Sequence, residues 1–248
     1  VIDNVNAILA ADQELYQGIH VDELTSVFTK RGFLSDNKVE GSISSNTTWS
    51  GLKILTDNVT VNSGVTLTIA QGTKIISENG SSLIVNGTIH IQGNSSNKVT
   101  FDFVSPNSTV ENGIIINQGA SASIDYAEIK NAYNGIYVYE ELVDINGCEI
   151  HDCYNGLHFY RTNYTSGGEC EIGGNKIYNN DFAGILGYYS GGYIVGNEIY
   201  GNSIGVALSD YSSPLFGEPL MRGYNNIHNN ETGIHAMNNS NPNLGDSY

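Results

Sequence analysis

The chain has 248 residues and a formal net charge of 10 − 26 = −16. Its 40% hydrophobic content is enough for a core, and with only 15% charged residues it is no disordered acidic tail. The acidic balance excludes nucleic acid as a partner and opposes polyanionic glycans such as pectate unless a cation intervenes, and no apolar run approaches the roughly 18 residues of a membrane span.

The first 40 residues predict helix. Val5, Ile8, Leu9, Leu15 and Tyr16 mark one stretch. Asp22 as N-cap, Leu24, Val27 and Phe28 on one face, and Gly32 as a stop mark a second. Such a segment, residues 1–40, reads as a linker or as a cap over the open edge of the β-rich region after it.

Residues 41–248 have a β texture, with 29 Gly and 16 Tyr in the whole chain but only 4 Pro. From Ser42 to Phe103, short runs alternate with turns: NVTV, GVTLTI, GTKII, SSLIV, GTIHI, NKVTFDF. These read as tight early coils (41–112) of a solenoid whose regular coils fill 113–248.

A single unit recurs through the regular coils: AEIKNAYNGIYVY from Ala127, CEIHDCYNGLHFY from Cys148, NKIYNNDFAGILGYY from Asn175, NEIYGNSIGVALS from Asn197 and NNIHNNETGIHAM from Asn225. Its glycines, Gly135, Gly156, Gly184, Gly205 and Gly233, are separated by 21, 28, 21 and 28 residues. The two long steps hold insertions around Arg161–Gly168 and Tyr211–Met221. One such unit cannot bury its own apolar side, whereas stacked units share a continuous core. The first and third residues after each glycine are apolar or small: Ile136/Val138, Leu157/Phe159, Ile185/Gly187, Val206/Leu208 and Ile234/Ala236. Period 2 points them inward and points Tyr137/Tyr139, His158/Tyr160, Leu186/Tyr188, Ala207/Ser209 and His235/Met237 outward. The fold class is therefore all-β, a parallel β-helix with a short helical N-terminal segment.

A family resemblance supports this. TWSGLKILTDNVTVNSGVTLTIAQGTKIISENGSSLIVNGTIHIQGNSSNKVTFDF resembles the opening module of secreted β-helix surface proteins. The NxIxxNxxGI units resemble the pectate-lyase-like β-helix repeat, and together they cover about residues 47–245. The resemblance implies a right-handed parallel β-helix and an extracellular or cell-surface location. It does not imply one activity, since relatives include lyases, glycosidases and adhesins.

Stacked coils turn equivalent positions into ladders. Glu128, Glu149, Lys176, Glu198 and Asn226 precede the isoleucines; Glu128 and Glu149 have the adjacency of a glycosidase pair, but a solvated charge ladder is the better reading. Lys130, His151, Tyr178, Tyr200 and His228 follow them. Asn131, Asp152, Asn179 and Asn229 suit the left-handed corners of coils. The outward aromatics Tyr137, Tyr139, His158, Tyr160 and Tyr188 form a strip suited to sugar rings, with Tyr189 next in line, or simply a stabilising stack. Lyases of the resembled family use a basic residue and acidic calcium ligands. Of Arg31, Arg161 and Arg222, the last two sit in the insertions, but Asp210 and Glu218 nearby form no motif and no catalytic residue is assigned. No cofactor is expected, calcium being the one candidate through corner oxygens.

Glycosylation sequons occur at Asn46, Asn58, Asn79, Asn86, Asn94, Asn107, Asn163, Asn230 and Asn238. Cys148, Cys153 and Cys170 allow one disulfide and a free thiol; without a CxxC spacing they predict no zinc site. The expected function is an extracellular, non-catalytic surface protein partnered by polysaccharide or cell-surface glycan. The alternatives are a self-assembling filament, tube or sheath subunit, or a polysaccharide lyase or glycoside hydrolase. The end of the chain bears on assembly: SNPNLGDSY parallels SSPLFGEPL from Ser212 and starts another turn. A coil left open there implies either a continuation of the chain or head-to-tail docking into a homo-oligomer.

Overall fold

The computed structural model describes residues 2–30, 37–103, 111–162, 171–218, 221–222 and 224–244. Two helices come first, α1 (Ile2–Tyr16) and α2 (Val21–Lys30), joined by a turn with Gln17 and Gly18 at positive φ. Asp22, expected as the N-cap, lies instead in the first turn of α2, where its carboxylate suits the helix dipole and meets Lys74 Nζ at 2.8 Å. Gly32 lies outside the described residues. Val5 and Leu9 of α1 and Phe28 of α2 pack on Leu52, Ile54 and Ile76 in a cluster separate from the main core. The helices thus sit against the outer side of the first coils.

The rest is a solenoid of parallel strands with three faces. On the first face β5 (Lys74–Ser77), β8 (Val99–Phe103), β11 (Ala127–Lys130), β14 (Glu149–His151), β17 (Lys176–Tyr178), β20 (Glu198–Tyr200) and β24 (Asn226–His228) stack in that order. On the second face the stack is β6 (Leu83–Val85), β9 (Ile114–Ile116), β12 (Asn134–Tyr139), β15 (Asn155–Tyr160), β18 (Ala183–Tyr188), β21 (Ile204–Ser209) and β25 (Thr232–Ala236). β3 (Leu52–Val61) runs through both: its start pairs with β5 and its end with β6, bending at the exposed Asp57 and Asn58. β1 (Lys38–Ile43) pairs along β3 with a register shift between Val39 and Gly41. The third face holds β2 (Thr47–Trp49), β4 (Thr66–Ala70), β7 (Thr88–Gln92), β10 (Ser121–Asp125), β13 (Val143–Asn146), β16 (Glu171–Gly173) and β19 (Tyr193–Val195). Leu215 continues this face by bridging Tyr193 and Asn243, the pairing anticipated between the Ser212 and Ser240 segments. Inside the second insertion, β22 (Gly217–Glu218) and β23 (Met221–Arg222) form a small antiparallel hairpin.

The inward columns follow the sequence register. Ile136 pairs with Leu157, Leu157 with Ile185, Ile185 with Val206 and Val206 with Ile234. All are buried except Ile234, which is half-exposed on the last described coil. Ile114, Leu83 and Val59 extend the same column back through the early coils. The step from Val59 to Leu83 is 83 − 59 = 24 residues, against 157 − 136 = 21 from Ile136 to Leu157. The choppy texture of residues 42–103 therefore reflects short strands on three faces, not shorter coils.

Corners are fixed by backbone and by side-chain ladders. Asn131, Asp152, Asn179 and Asn229 adopt φ of 60°, 54°, 53° and 52°, and Gly201 holds the equivalent place at 69°. Two buried asparagine ladders flank the first face. Asn175 Nδ2 donates to Asn197 Oδ1 at 3.0 Å and Asn197 Nδ2 to Asn225 Oδ1 at 3.1 Å; Asn180, Asn202 and Asn230 repeat the pattern. Each amide nitrogen also donates to an interior carbonyl, as Asn180 does to Ile150 O. The ladders leave few buried polar groups unpaired, which is the condition for placing amides in a core. Cys148 and Cys153 head them: their backbone N–H groups donate to Asn175 Oδ1 and Asn180 Oδ1. Both are free, buried thiols whose pKa burial pushes up to about 12, which favours the protonated form. Cys170 lies outside the described residues.

The repeated glycines have a packing reason. A Cβ on Gly156 would stand 2.6 Å from Gly184 O and 2.8 Å from Ile177 Cγ2, and Gly135, Gly184 and Gly205 meet the same carbonyl of the next coil. The obstacle is backbone, which cannot swing aside. Gly156→Ala is expected to cost about 1–3 kcal/mol of stability by overpacking. Chemical denaturation monitored by circular dichroism checks this; an unchanged midpoint would show that the coils part freely.

Candidate functional site

The outer surface of the second face carries two rows of aromatic rings. The first row lies just before the glycines: Tyr133 stacks on Tyr154 at 4.9 Å and 20°, and Tyr154 on Phe182 at 5.6 Å and 14°. Ladder bonds hold their spacing, Asn155 N donating to Tyr133 O and Phe182 N to Tyr154 O. The second row follows the glycines: Tyr137 and His158 are 4.8 Å apart, and His158 and Tyr188 5.8 Å. Between the rows runs a groove of about 600 Å³, its floor formed by Asn112, Asn134 and Asn155.

The strip expected from sequence is present, but it divides. Tyr137, His158 and Tyr188 line the groove. Tyr139 and Tyr160 stack at 5.8 Å and 14° as a ridge beyond it; Tyr188 is in register with Tyr160, as the repeat predicts, at 6.4 Å and so joins groove to ridge, which Tyr189 and Tyr211 continue. Arg161 lies 5.4 Å over the Tyr160 ring and bonds Glu140 at 3.1 Å, which orders this ridge. The first row escaped the sequence reading. Its signal is in the repeat: two residues before the glycines stand Tyr133, Tyr154 and Phe182, then Ser203 and Glu231 in the later coils. The rings therefore stop where the groove does. Leu186 and Ala207 point outward as expected and yet are buried, because Phe182, Tyr188 and Ile204 cover them.

The floor is polar and incompletely paired. Asn112 Oδ1 accepts from Tyr133 N at 2.7 Å, and Asn155 Nδ2 donates to Asn134 Oδ1 at 2.9 Å. Asn112 Nδ2, Asn155 Oδ1 and both ring nitrogens of His158 are buried with no partner among the described residues. Burial pushes the His158 pKa down to about 4, so the ring is neutral at ordinary pH. Burial also raises the Tyr137 phenol.

A family description, right-handed beta helix region, matches residues 112–247. The chain belongs to the right-handed β-helix family. No curated protein and no solved structure matches it. The family match begins at Asn112 and so spans the coils that build both aromatic rows.

The first face of the β-helix carries a ring ladder and a charge ladder. His151, Tyr178, Tyr200 and His228 stack with ring centroids 4.7, 5.0 and 5.2 Å apart. His151 Nδ1 lies 2.7 Å from Asp152 Oδ2 and Nε2 3.4 Å from Glu128 Oε1. The His151 hydrogen bond, helped by Lys130, holds Glu128 down to about 2 against the effect of burial. For His151 burial acts to lower the pKa, but the bonds to Glu128 and Asp152 raise it on balance. Glu128 pairs with Lys130 at 3.4 Å, Glu149 with Lys98 at 2.8 Å and Lys176 with Glu198 at 4.0 Å. Glu128 and Glu149 are thus each neutralised by separate partners on a charge ladder. The Arg222 side chain lies outside the described residues.

Of the sequons, Asn46, Asn58, Asn79 and Asn238 are exposed, and Asn86, Asn94 and Asn230 half-buried. The Asn230 amide nitrogen donates to Ile199 O within its ladder. Asn107 and Asn163 lie outside the described residues. No described helix is long and apolar enough to cross a membrane.

Proposed function

We propose that this β-helix is an extracellular glycan-binding module that holds a sugar chain in the groove between its aromatic rows without cleaving it. The observation that carries the reading is the pairing of two ring walls with a floor of unpartnered polar atoms. Sugar rings offer C–H faces that stack on aromatics and hydroxyls that need hydrogen-bond partners, and the groove supplies both. Ring spacings of 4.9 and 5.6 Å along one wall let successive aromatics contact one extended chain running across the coils. Glycosidase chemistry uses two facing carboxylates. Glu111 is the one carboxylate among the described lining residues, which favours holding over cutting.

Tyr154 sits at the centre of the first row and is the residue to test. Tyr154→Ala is expected to weaken glycan binding about tenfold, roughly 1.4 kcal/mol, while leaving the circular dichroism spectrum unchanged. Titration calorimetry against glycans selected on an array reads the effect. Unchanged affinity in a folded variant would remove the groove from the binding site.

A further inference from the structure

We propose that the groove selects uncharged sugar chains and rejects their uronate counterparts. The inference rests on the glycan-binding reading and names the class of chain that the groove takes.

Donors and acceptors on the floor set this preference. Four side-chain atoms of residues that line this groove are buried and lack partners among the described residues: Asn112 Nδ2, Asn155 Oδ1, and Nδ1 and Nε2 of His158. A neutral imidazole offers one donor and one acceptor. With the Asn112 nitrogen donating and the Asn155 oxygen accepting, the set offers two donor atoms and two acceptor atoms once these side chains turn toward a ligand. A hydroxyl is both donor and acceptor, so a pair of sugar hydroxyls satisfies such a set. A carboxylate only accepts. Placed here, it leaves Asn155 Oδ1 and the bare imidazole nitrogen facing it unpaired and out of water, and a site with unpaired buried groups discriminates strongly.

Charge points the same way. No Lys or Arg is among the described lining residues, while Glu111 stands exposed at the groove. A carboxylate would enter with nothing to neutralise it, beside an acidic residue, on a chain of net charge −16. The walls are indifferent to the ligand's charge, because the C–H faces of neutral and acidic sugars stack alike. Selection therefore falls to the floor and to Glu111.

The test uses matched pairs. Polygalacturonate, alginate and a glucuronan are each compared with the same polymer after reduction of its carboxyls to primary alcohols, so that linkage and length are held fixed. Affinity electrophoresis or calorimetry with the full chain is run at low and at raised salt. The expected result is that at least one reduced polymer binds, and binds about tenfold or more tighter than its parent. The preference should survive salt that screens the net charge, because it comes from buried atoms in contact with the ligand. His158→Phe keeps a ring in the wall and removes both nitrogens, and should weaken binding of the reduced polymer several-fold. Equal or tighter binding of the uronate form overturns the selectivity and leaves glycan binding standing. Absence of binding to every polymer in both forms overturns both readings. A preference that vanishes at raised salt assigns discrimination to net charge and overturns the role of the floor.

Discussion

Leu157→Ala is expected to lower the free energy of unfolding by about 2–5 kcal/mol. Leu157 is completely buried at the middle of the inward column, between Ile136 and Ile185. Its strand is hydrogen-bonded on both sides, to β12 and to β18, so the backbone cannot move in to fill the hole. A cavity that cannot collapse gives the upper end of that range. Ile234→Ala is the internal comparison. Ile234 belongs to the same column but is only half-buried on the last described coil, so its truncation removes less buried surface and should cost less. Urea denaturation of the two variants reads the difference. Equal losses, or a loss below about 1 kcal/mol at Leu157, would contradict the packing of the column.

That column is legible in the sequence, and the reason is physical. Ile136, Leu157, Ile185 and Val206 all sit one residue after a glycine, and strict alternation leaves only one face for them. The glycines themselves mark the register because each approaches the next coil's backbone too closely for a side chain. The groove is only half legible. Tyr137, His158 and Tyr188 lie on regular strands, where alternation assigns a direction. Tyr133, Tyr154 and Phe182 lie at the corner, where alternation says nothing and asparagine-rich sequence reads as turn. Alternation also gives direction without burial, which is why Leu186 and Ala207 point outward and remain covered. The thiols are a further case. Cys148 and Cys153 align with Asn175 and Asn180 in the repeat, but only the hydrogen bonds show them starting the two ladders.

His158 joins the groove to stability. Its ring is expected to make the fold acid-labile by about 3 kcal/mol between pH 6.5 and about 4. The folded pKa is depressed to about 4 from the ordinary 6.5 because burial disfavours the charged ring. Between those values the unfolded chain binds a proton that the folded chain refuses. The contribution is therefore fully present above pH 6.5 and is lost progressively as the pH falls to 4. The other shifted pair works outside this window. Glu128, depressed to about 2, adds stability that is lost only below pH 4.5. His151, raised, adds stability that is lost only above pH 6.5. His158→Phe should therefore remove this slope from the midpoint-against-pH profile and leave the arms below and above it. It should also raise stability slightly at pH 7, since a ring of similar shape replaces one with two unpaired buried nitrogens. Thermal melts from pH 4 to 7 on both proteins check this. An unchanged slope would mean that the His158 nitrogens are solvated in the folded state, and the groove floor would then lack two of its four unpaired atoms. A variant that is more stable at acid pH and weaker in glycan binding would show that the imidazole is kept for the ligand at a cost to the fold.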